Sequence, residues 1–221
     1  MTNSVDIVIL TPGHSVTVAY NKSLLKTAEE FQKRGITWAW GSEYSSHVGD
    51  AREITLSGTK SNNPLNNIPF EGNLQYKKLM WIDSDISWEP EDIIKLYESD
   101  REIVTGVYLF QDGTTSSFKE FLGRMYSYDE VLKLKELTEI KGCGFGFLCV
   151  SKGIFELMSR PWFQSVNTTI NFDGKQLTFP IMGEDVSWCA RAMDLGYKIW
   201  MDPSVLVSHH KTVELHWKGL E

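Results

Sequence analysis

Cysteine is scarce in this chain, with three in 221 residues, at positions 143, 149 and 189, and no CxxC spacing among them. That excludes a disulfide framework and a thiolate metal clip, and it leaves the three thiols to be read as small buried hydrophobes. Cys143 and Cys149 are an even number of positions apart in an apolar run, so a continuous strand would put both on one face. No run approaches the ~18–20 apolar residues of a membrane span. The opening MTNSVDIVIL has neither the basic start nor the long apolar segment of a secretion signal. The expected setting is therefore soluble and cytoplasmic. Basic residues are in deficit, 22 Lys and Arg against 29 Asp and Glu, for a net charge of −7. Nucleic acid is then an unexpected partner, because bulk charge gives it no attraction. A strand–GxGxxG–helix phosphate loop is missing too, as are internal repeats and low-complexity tracts.

The composition present is that of an ordinary folded protein, 42% apolar and 23% charged, with chain enough to bury a sizeable core. Residues 5–10 read as a buried strand leaving into Thr11-Pro12-Gly13. Helical spacing of Leu24, Leu25, Ala28 and Phe31 predicts a helix over 18–34, stopped by Gly35. Strands are expected at 36–40, 78–82 and 102–109, helices at 47–57 and 90–97, and an asparagine-rich loop at 62–73. Such alternation implies an α/β domain with a mainly parallel sheet. Past residue 110 the rhythm breaks, with mixed signals over 111–141. A strand is expected at 142–150, a helix at 152–159, irregular or short-stranded chain at 162–179, a helix at 184–195, and short strands at 197–201 and 205–209. The expected organisation is one domain, with residues 1–110 as a nucleotide-binding half and 111–221 as an acceptor-binding and catalytic half.

The strongest local signal is Leu79-Met80-Trp81-Ile82-Asp83-Ser84-Asp85. An apolar strand here delivers two carboxylates, spaced i and i+2, to its C-terminal edge, where ligands of open α/β sheets bind. Two carboxylates meeting at one point need a cation between them, and hard oxygen ligands suit Mg2+ or Mn2+, which in turn hold phosphate oxygens. The plain alternative is a polar turn with one Asp as a helix cap. Gly142, Gly144 and Gly146 alternate along the expected strand at 142–150. One face of that strand would carry no side chains, admitting a ligand or another backbone. Trp81, Trp88, Trp162, Trp188, Trp200 and Trp217 are numerous for this length; core packing is the ordinary role, sugar stacking the other.

Four segments in order carry a family resemblance: the first strand running to Thr11-Pro12; Gly49-Asp50-Ala51-Arg52; Asp83-Ser84-Asp85; and Gly183-Glu184-Asp185, with its helix leading to Met201-Asp202-Pro203-Ser204 and then Val205 to His209. Together they resemble the GT-A fold nucleotide-sugar glycosyltransferases, similar to family 2. The resemblance implies that Asp83 and Asp85 form a DxD metal site, with Asp85 the direct ligand and Asp83 nearer the ribose or a metal-bound water. It implies His209 as a late histidine completing that site. His210 would face the other way on a strand, while His209 shares the face of Val205 and Val207. By the same resemblance Arg52 binds the donor, whose diphosphate lies on the Asp83-Ser84-Asp85 edge, Thr11 and Pro12 line the nucleobase pocket, and Asp50 touches base or ribose. A guanidinium grips phosphate bidentately; the bland alternative for Arg52 is an ion pair with Asp50 or Glu53. By the resemblance Asp185 stands as the general base, with Glu184 orienting the acceptor or sharing that role. A carboxylate at a helix start is also simply favoured there.

The function implied is metal-dependent transfer of a sugar from a UDP-linked donor to a hydroxyl-bearing acceptor, with inversion. The acceptor would be a glycan, a lipid-linked sugar, a protein or a modified base. Three rivals are a non-catalytic sugar- or nucleotide-sugar-binding protein of the same fold, a sugar-phosphate nucleotidyltransferase, and a nucleic-acid-modifying transferase acting on a hydroxylated base. The second should open with a glycine-rich loop followed by Arg and Lys, which Thr11-Pro12-Gly13-His14 does not supply; to the third a net charge of −7 gives no electrostatic help.

Overall fold

The computed structural model describes residues 3–58, 66–120, 123–180 and 182–211. It opens with β1 (Asn3–Ser4) and β2 (Ile7–Leu10), the second buried along its whole length. Continuous burial is the habit of a parallel strand covered on both faces. Helix α1 (Val18–Arg34) is capped by the Thr17 hydroxyl, which accepts from the Tyr20 N–H, and it ends at Gly35 with φ 68°, a left-handed geometry that glycine adopts without strain. Then come β3 (Trp38–Gly41), α2 (Val48–Ser57), β4 (Leu74–Gln75), β5 (Lys78–Ile82), β6 (Ile86–Ser87), α3 (Pro90–Glu98) and β7 (Ile103–Val107). The expected alternation is present. Of the asparagine-rich loop, residues 62–65 lie outside the described residues, and Pro69–Gly72 forms a 3₁₀ turn.

The second half runs through β8 (Thr114–Phe118), β9 (Met125–Ser127), α4 (Tyr128–Lys133), β10 (Thr138–Ile140), β11 (Gly142–Cys143), β12 (Phe147–Ser151) and α5 (Ile154–Leu157). A hairpin of β13 (Asn167–Phe172) and β14 (Lys175–Pro180) follows, then α6 (Glu184–Asp194), β15 (Ile199–Leu206) and β16 (Ser208–His209). The central sheet has seven strands in the order β10-β15-β7-β12-β5-β2-β3. Strands β3, β2, β5, β7 and β15 point one way, while β12 and β10 run against their neighbours. Alternate residues feed two cores. Val8, Leu10, Leu79, Trp81 and Leu148 pack on one face; Ile7, Ile9, Met80, Ile82 and Phe147 pack on the other. Because Leu10 pairs with Trp81, residues 11–13 and 83–85 leave the sheet along the same carboxyl edge.

Three expectations need correction. The strand expected at 142–150 is two: β11 joins a small sheet with β8 and β9, and β12 joins the central sheet. The chain turns between them, so Cys143 and Cys149 fall in different cores rather than on one face; all three cysteines are free and buried. The two short strands expected around Pro203 are partly one, since β15 runs through it with a register shift against β7 between Met201 and Leu206. An irregularity of that kind tolerates a residue without an N–H. Of the tryptophans singled out, Trp81, Trp88, Trp162 and Trp188 are core. The Trp200 ring lies 4.2 Å beneath the Arg101 guanidinium, and Trp217 lies outside the described residues. No helix among the described residues is long and apolar enough to cross a membrane.

Candidate active site

At Ile82 strand β5 stops pairing and turns, the Ile86 N–H donating to the Asp83 carbonyl at 3.1 Å. The Asp83 N–H in turn donates to the Gly146 carbonyl at 3.1 Å, which ties the turn to the entry of β12. A cleft of about 340 Å³ opens there, lined by Pro12, Asp83, Ser84, Asp85, Asp185 and His209 together with Tyr108 and Lys211. Residues far apart in sequence thus meet at the carboxyl edge of the sheet.

The two aspartates of the turn are held by different cations. Asp83 Oδ1 accepts from Arg52 Nη2 at 3.0 Å, and Arg52 Nε lies 3.4 Å from Glu184 Oε1. Arg52 is 3% exposed, with its guanidinium 5.2 Å from the Phe145 ring and 5.9 Å from that of Trp81. Burial opposes its charge, but the carboxylates of Asp83, Glu184 and Asp185 outweigh that and raise its pKa. Neither Asp50 nor Glu53 is its partner; Glu53 pairs with Arg160 at 2.7 Å instead. Nη1 of Arg52 is buried without a hydrogen-bond partner among the described residues.

Asp85 is about as exposed as Asp83, 29% against 31% of the side chain, but has other partners. His209 Nε2 lies 3.3 Å from its Oδ2 and Lys211 Nζ 2.6 Å from the same oxygen. His209 Nδ1 lies 3.0 Å from the Leu109 carbonyl, which only accepts, so Nδ1 carries the proton. In the neutral ring the Nε2 lone pair then points at a carboxylate. A carboxylate and a neutral imidazole so placed can share a cation, a place the Lys211 ammonium holds here, and a backbone carbonyl behind the far nitrogen is the usual support of a metal-binding imidazole. The donor set of Asp85 and His209, one hard oxygen and one imidazole nitrogen, suits Mn2+ or Mg2+ with water and phosphate filling the remaining positions. No cluster of three His, Cys, Asp or Glu groups arranged for a metal exists among the described residues. His210 turns the other way, its Nε2 2.6 Å from Ser87 Oγ.

Helix α6 brings two adjacent carboxylates to its N-terminus, and they open on different spaces. Asp185 lines the cleft with Asp85. Glu184 lines a second cleft of about 360 Å³ beside Asp50 and His47. Asp185 Oδ1 accepts from the Val186 N–H at 2.7 Å. Burial pushes its carboxyl up to about 6, the Glu184 charge adds to the rise, and Arg52 opposes it. Thr11 is fully buried: its hydroxyl accepts from Trp40 Nε1 at 3.2 Å and is bonded to the Tyr20 hydroxyl. It anchors the loop, leaving Pro12 as the residue of the pair that faces the cleft.

Tyr108, like Lys211, is a cleft residue whose place nothing in the sequence spacing required. Its hydroxyl accepts from the Gly146 N–H at 3.3 Å, and its ring meets that of His209 edge-on at 5.1 Å. A Cβ on Gly144 or Gly146 would collide with the phenol. The bare side of the glycine run is therefore filled by Tyr108, not by a ligand or a backbone. Burial pushes the phenol well above its usual range, helped by the charges of Asp83 and Asp185, so it remains a neutral donor. The signal available beforehand was the glycine alternation itself, which marks a space without naming its occupant.

No protein-family model matches the sequence, and no curated protein matches it. Solved structures do. A197 from STIV superposes with a TM-score of 0.58 at 18% identity, over 94% of this chain and 86% of that one. GalNAc-T7, in a crystal structure with UDP, GalNAc and Mn2+, superposes with a TM-score of 0.51 at 12% identity, over 95% of this chain. The chain spans 44% of that GalNAc-T7 chain. Identities this low speak to architecture alone, and the architecture is the GT-A fold.

Proposed function

We propose that the chain is a metal-dependent glycosyltransferase that moves a sugar from a UDP-linked donor to an acceptor hydroxyl with inversion. The single observation that carries this reading is the place of Asp185, a half-buried carboxylate in the same cleft as the Asp85–His209 pair, whose desolvation pushes its pKa up to about 6. A general base works best when its pKa lies near the operating pH. Its Oδ1 is occupied by the Val186 N–H, leaving Oδ2 to take the proton of the acceptor hydroxyl. The hydroxyl oxygen then bonds to the anomeric carbon as the bond from that carbon to the diphosphate breaks.

Asp85 and His209 would hold the divalent ion, which when bound supplies positive charge for the leaving diphosphate. Asp83, fixed by Arg52, serves the ribose side, and Ser84 and Pro12 face the donor. Asp50 and Glu184, in the neighbouring cleft, orient sugar or acceptor hydroxyls, since carboxylates accept hydrogen bonds from polyols. Residues 1–110 then form the donor half and 111–221 the acceptor half. The test is a thermal-shift panel of nucleotide sugars with and without Mn2+. UDP-sugars should raise the melting temperature only with the ion present, by mass action on the native state. Stabilisation by no nucleotide would overturn the reading.

A further inference from the structure

Asp85 already has a cation on it. Lys211 Nζ sits 2.6 Å from Oδ2, the same oxygen that faces His209 Nε2 at 3.3 Å. An ammonium and a divalent ion cannot share one carboxylate oxygen at contact distance, because they repel each other and need the same lone pairs. The Lys211 side chain is 45% exposed, and an ion pair that open to water is weak enough to be given up. The backbone leading to it is held in place. Ser208 and His209 of β16 pair with Ser87 and Ile86 of β6, and the His210 N–H donates to the Asp85 carbonyl at 2.7 Å. Lys211 therefore leaves Asp85 by rotation of its own four-carbon stem, and its ammonium stays over the cleft.

The charge of the cleft gives that ammonium a destination. Asp83, Asp85 and Asp185 line it, and Lys211 is the one Lys or Arg among its described lining residues. Arg52 lies beneath, already engaged by Asp83 and Glu184. A diphosphate entering this acidic space finds no other mobile cation among the described lining residues.

We propose that Lys211 is a resident counter-cation of Asp85, displaced by the divalent ion and thereupon delivered to the diphosphate oxygens of the donor, so that ion and nucleotide bind as a coupled pair. The proposal rests on the function read above, and adds to it a donor-binding residue and a reason for the two ligands to need each other. Removing the lysine has opposite effects on the two affinities. Without nucleotide, the ion no longer competes with an ammonium; with the ion in place, the diphosphate loses a charged donor.

The test compares wild type with Lys211→Met and Lys211→Arg. Mn2+ alone is titrated by electron paramagnetic resonance, and UDP is then titrated calorimetrically at saturating Mn2+. Lys211→Met should bind Mn2+ about two- to fivefold more tightly and UDP roughly tenfold more weakly. Lys211→Arg should stay near wild type in both, and the factor by which UDP strengthens Mn2+ binding should shrink in the Met variant alone. If wild type binds both ligands and Lys211→Met shifts neither affinity, or shifts both the same way, the coupling is overturned while the transferase reading stands. If wild type binds neither Mn2+ nor UDP, the transferase reading itself fails and takes the coupling with it.

Discussion

Two aspartates separated by a single serine have opposite surroundings. Asp83 turns toward an arginine that is 3% exposed and shared with Glu184. Asp85 turns toward a histidine and a half-exposed lysine at the open rim. Spacing i, i+2 on an extended strand would have put both carboxylates together. The chain instead leaves β5 at Ile82 and turns, with the Asp83 N–H tied to Gly146 and its carbonyl to the Ile86 N–H. The two carboxylates are about equally exposed, 31% and 29%, so the difference lies in the partners: a buried guanidinium holds one, and a half-exposed ammonium that can be exchanged holds the other. A buried ion pair is costly to break because the partner left behind keeps its charge, whereas an exposed one contributes little.

The largest expected effect follows from the buried side. Arg52→Met should cost about 2–4 kcal/mol of folding stability by urea denaturation, since it strands Asp83 and Glu184 beside each other. Adding Asp83→Asn should restore part of that loss. By contrast Asp85→Asn should move stability by no more than about 0.5 kcal/mol. Equal losses at the two aspartates would erase the distinction between them.

Asp185→Asn comes next and has two signs. Transfer should fall by about 10²–10⁴-fold, the usual worth of a general base, with UDP affinity kept. Stability at pH 7 should rise, by roughly 1–3 kcal/mol at most. The sign comes from the raised pKa: with a value of about 6 in the folded chain against 3.8 unfolded, the folded state binds the extra proton between those limits. The buried charge therefore costs stability above about pH 6, and the advantage of the Asn variant should fade as pH falls toward 4. In wild type, kcat/KM should drop below about pH 6 as the base protonates. A profile flat to pH 5 would remove Asp185 from the role.

Much of this was legible in the sequence because its signals were local. The helical spacing of Leu24, Leu25, Ala28 and Phe31 and the Gly35 stop marked α1, and the apolar runs of β2 and β5 announced buried strands. The carboxyl edge followed from the alternation. What stayed hidden depended on pairs distant in the chain. Arg52 and Glu184 are 132 positions apart, and no periodicity reports their contact. The glycine alternation at 142–146 looked like one strand with a bare face, yet Tyr108 from β7's exit fills that space and the chain turns within it. The hairpin of β13 and β14 did carry a signal that the irregular reading of 162–179 passed over: Asp173-Gly174, with φ of 50° and 72°, is the two-residue turn that joins them.

The smallest effect is also the one that discriminates most finely at the exposed rim. His209 and His210 are adjacent, but the ladder between β16 and β6 sends them apart, one toward Asp85 and the other toward Ser87. His209→Ala should weaken Mn2+ binding by about 10- to 100-fold, the scale for losing an imidazole or its support, while His210→Ala changes it by less than about twofold. Tyr108→Phe sits between them in logic and below His209 in size. The ring that meets His209 at 5.1 Å survives, and only the hydroxyl on the Gly146 N–H is lost. A shift of Mn2+ affinity of about twofold or less is expected from Tyr108→Phe, with a larger loss from Tyr108→Leu because the imidazole loses its aromatic wall. If His210→Ala proved the more damaging histidine variant, Asp85 would no longer be the centre of the exchangeable side, and the contrast between the two aspartates would rest on Arg52 alone.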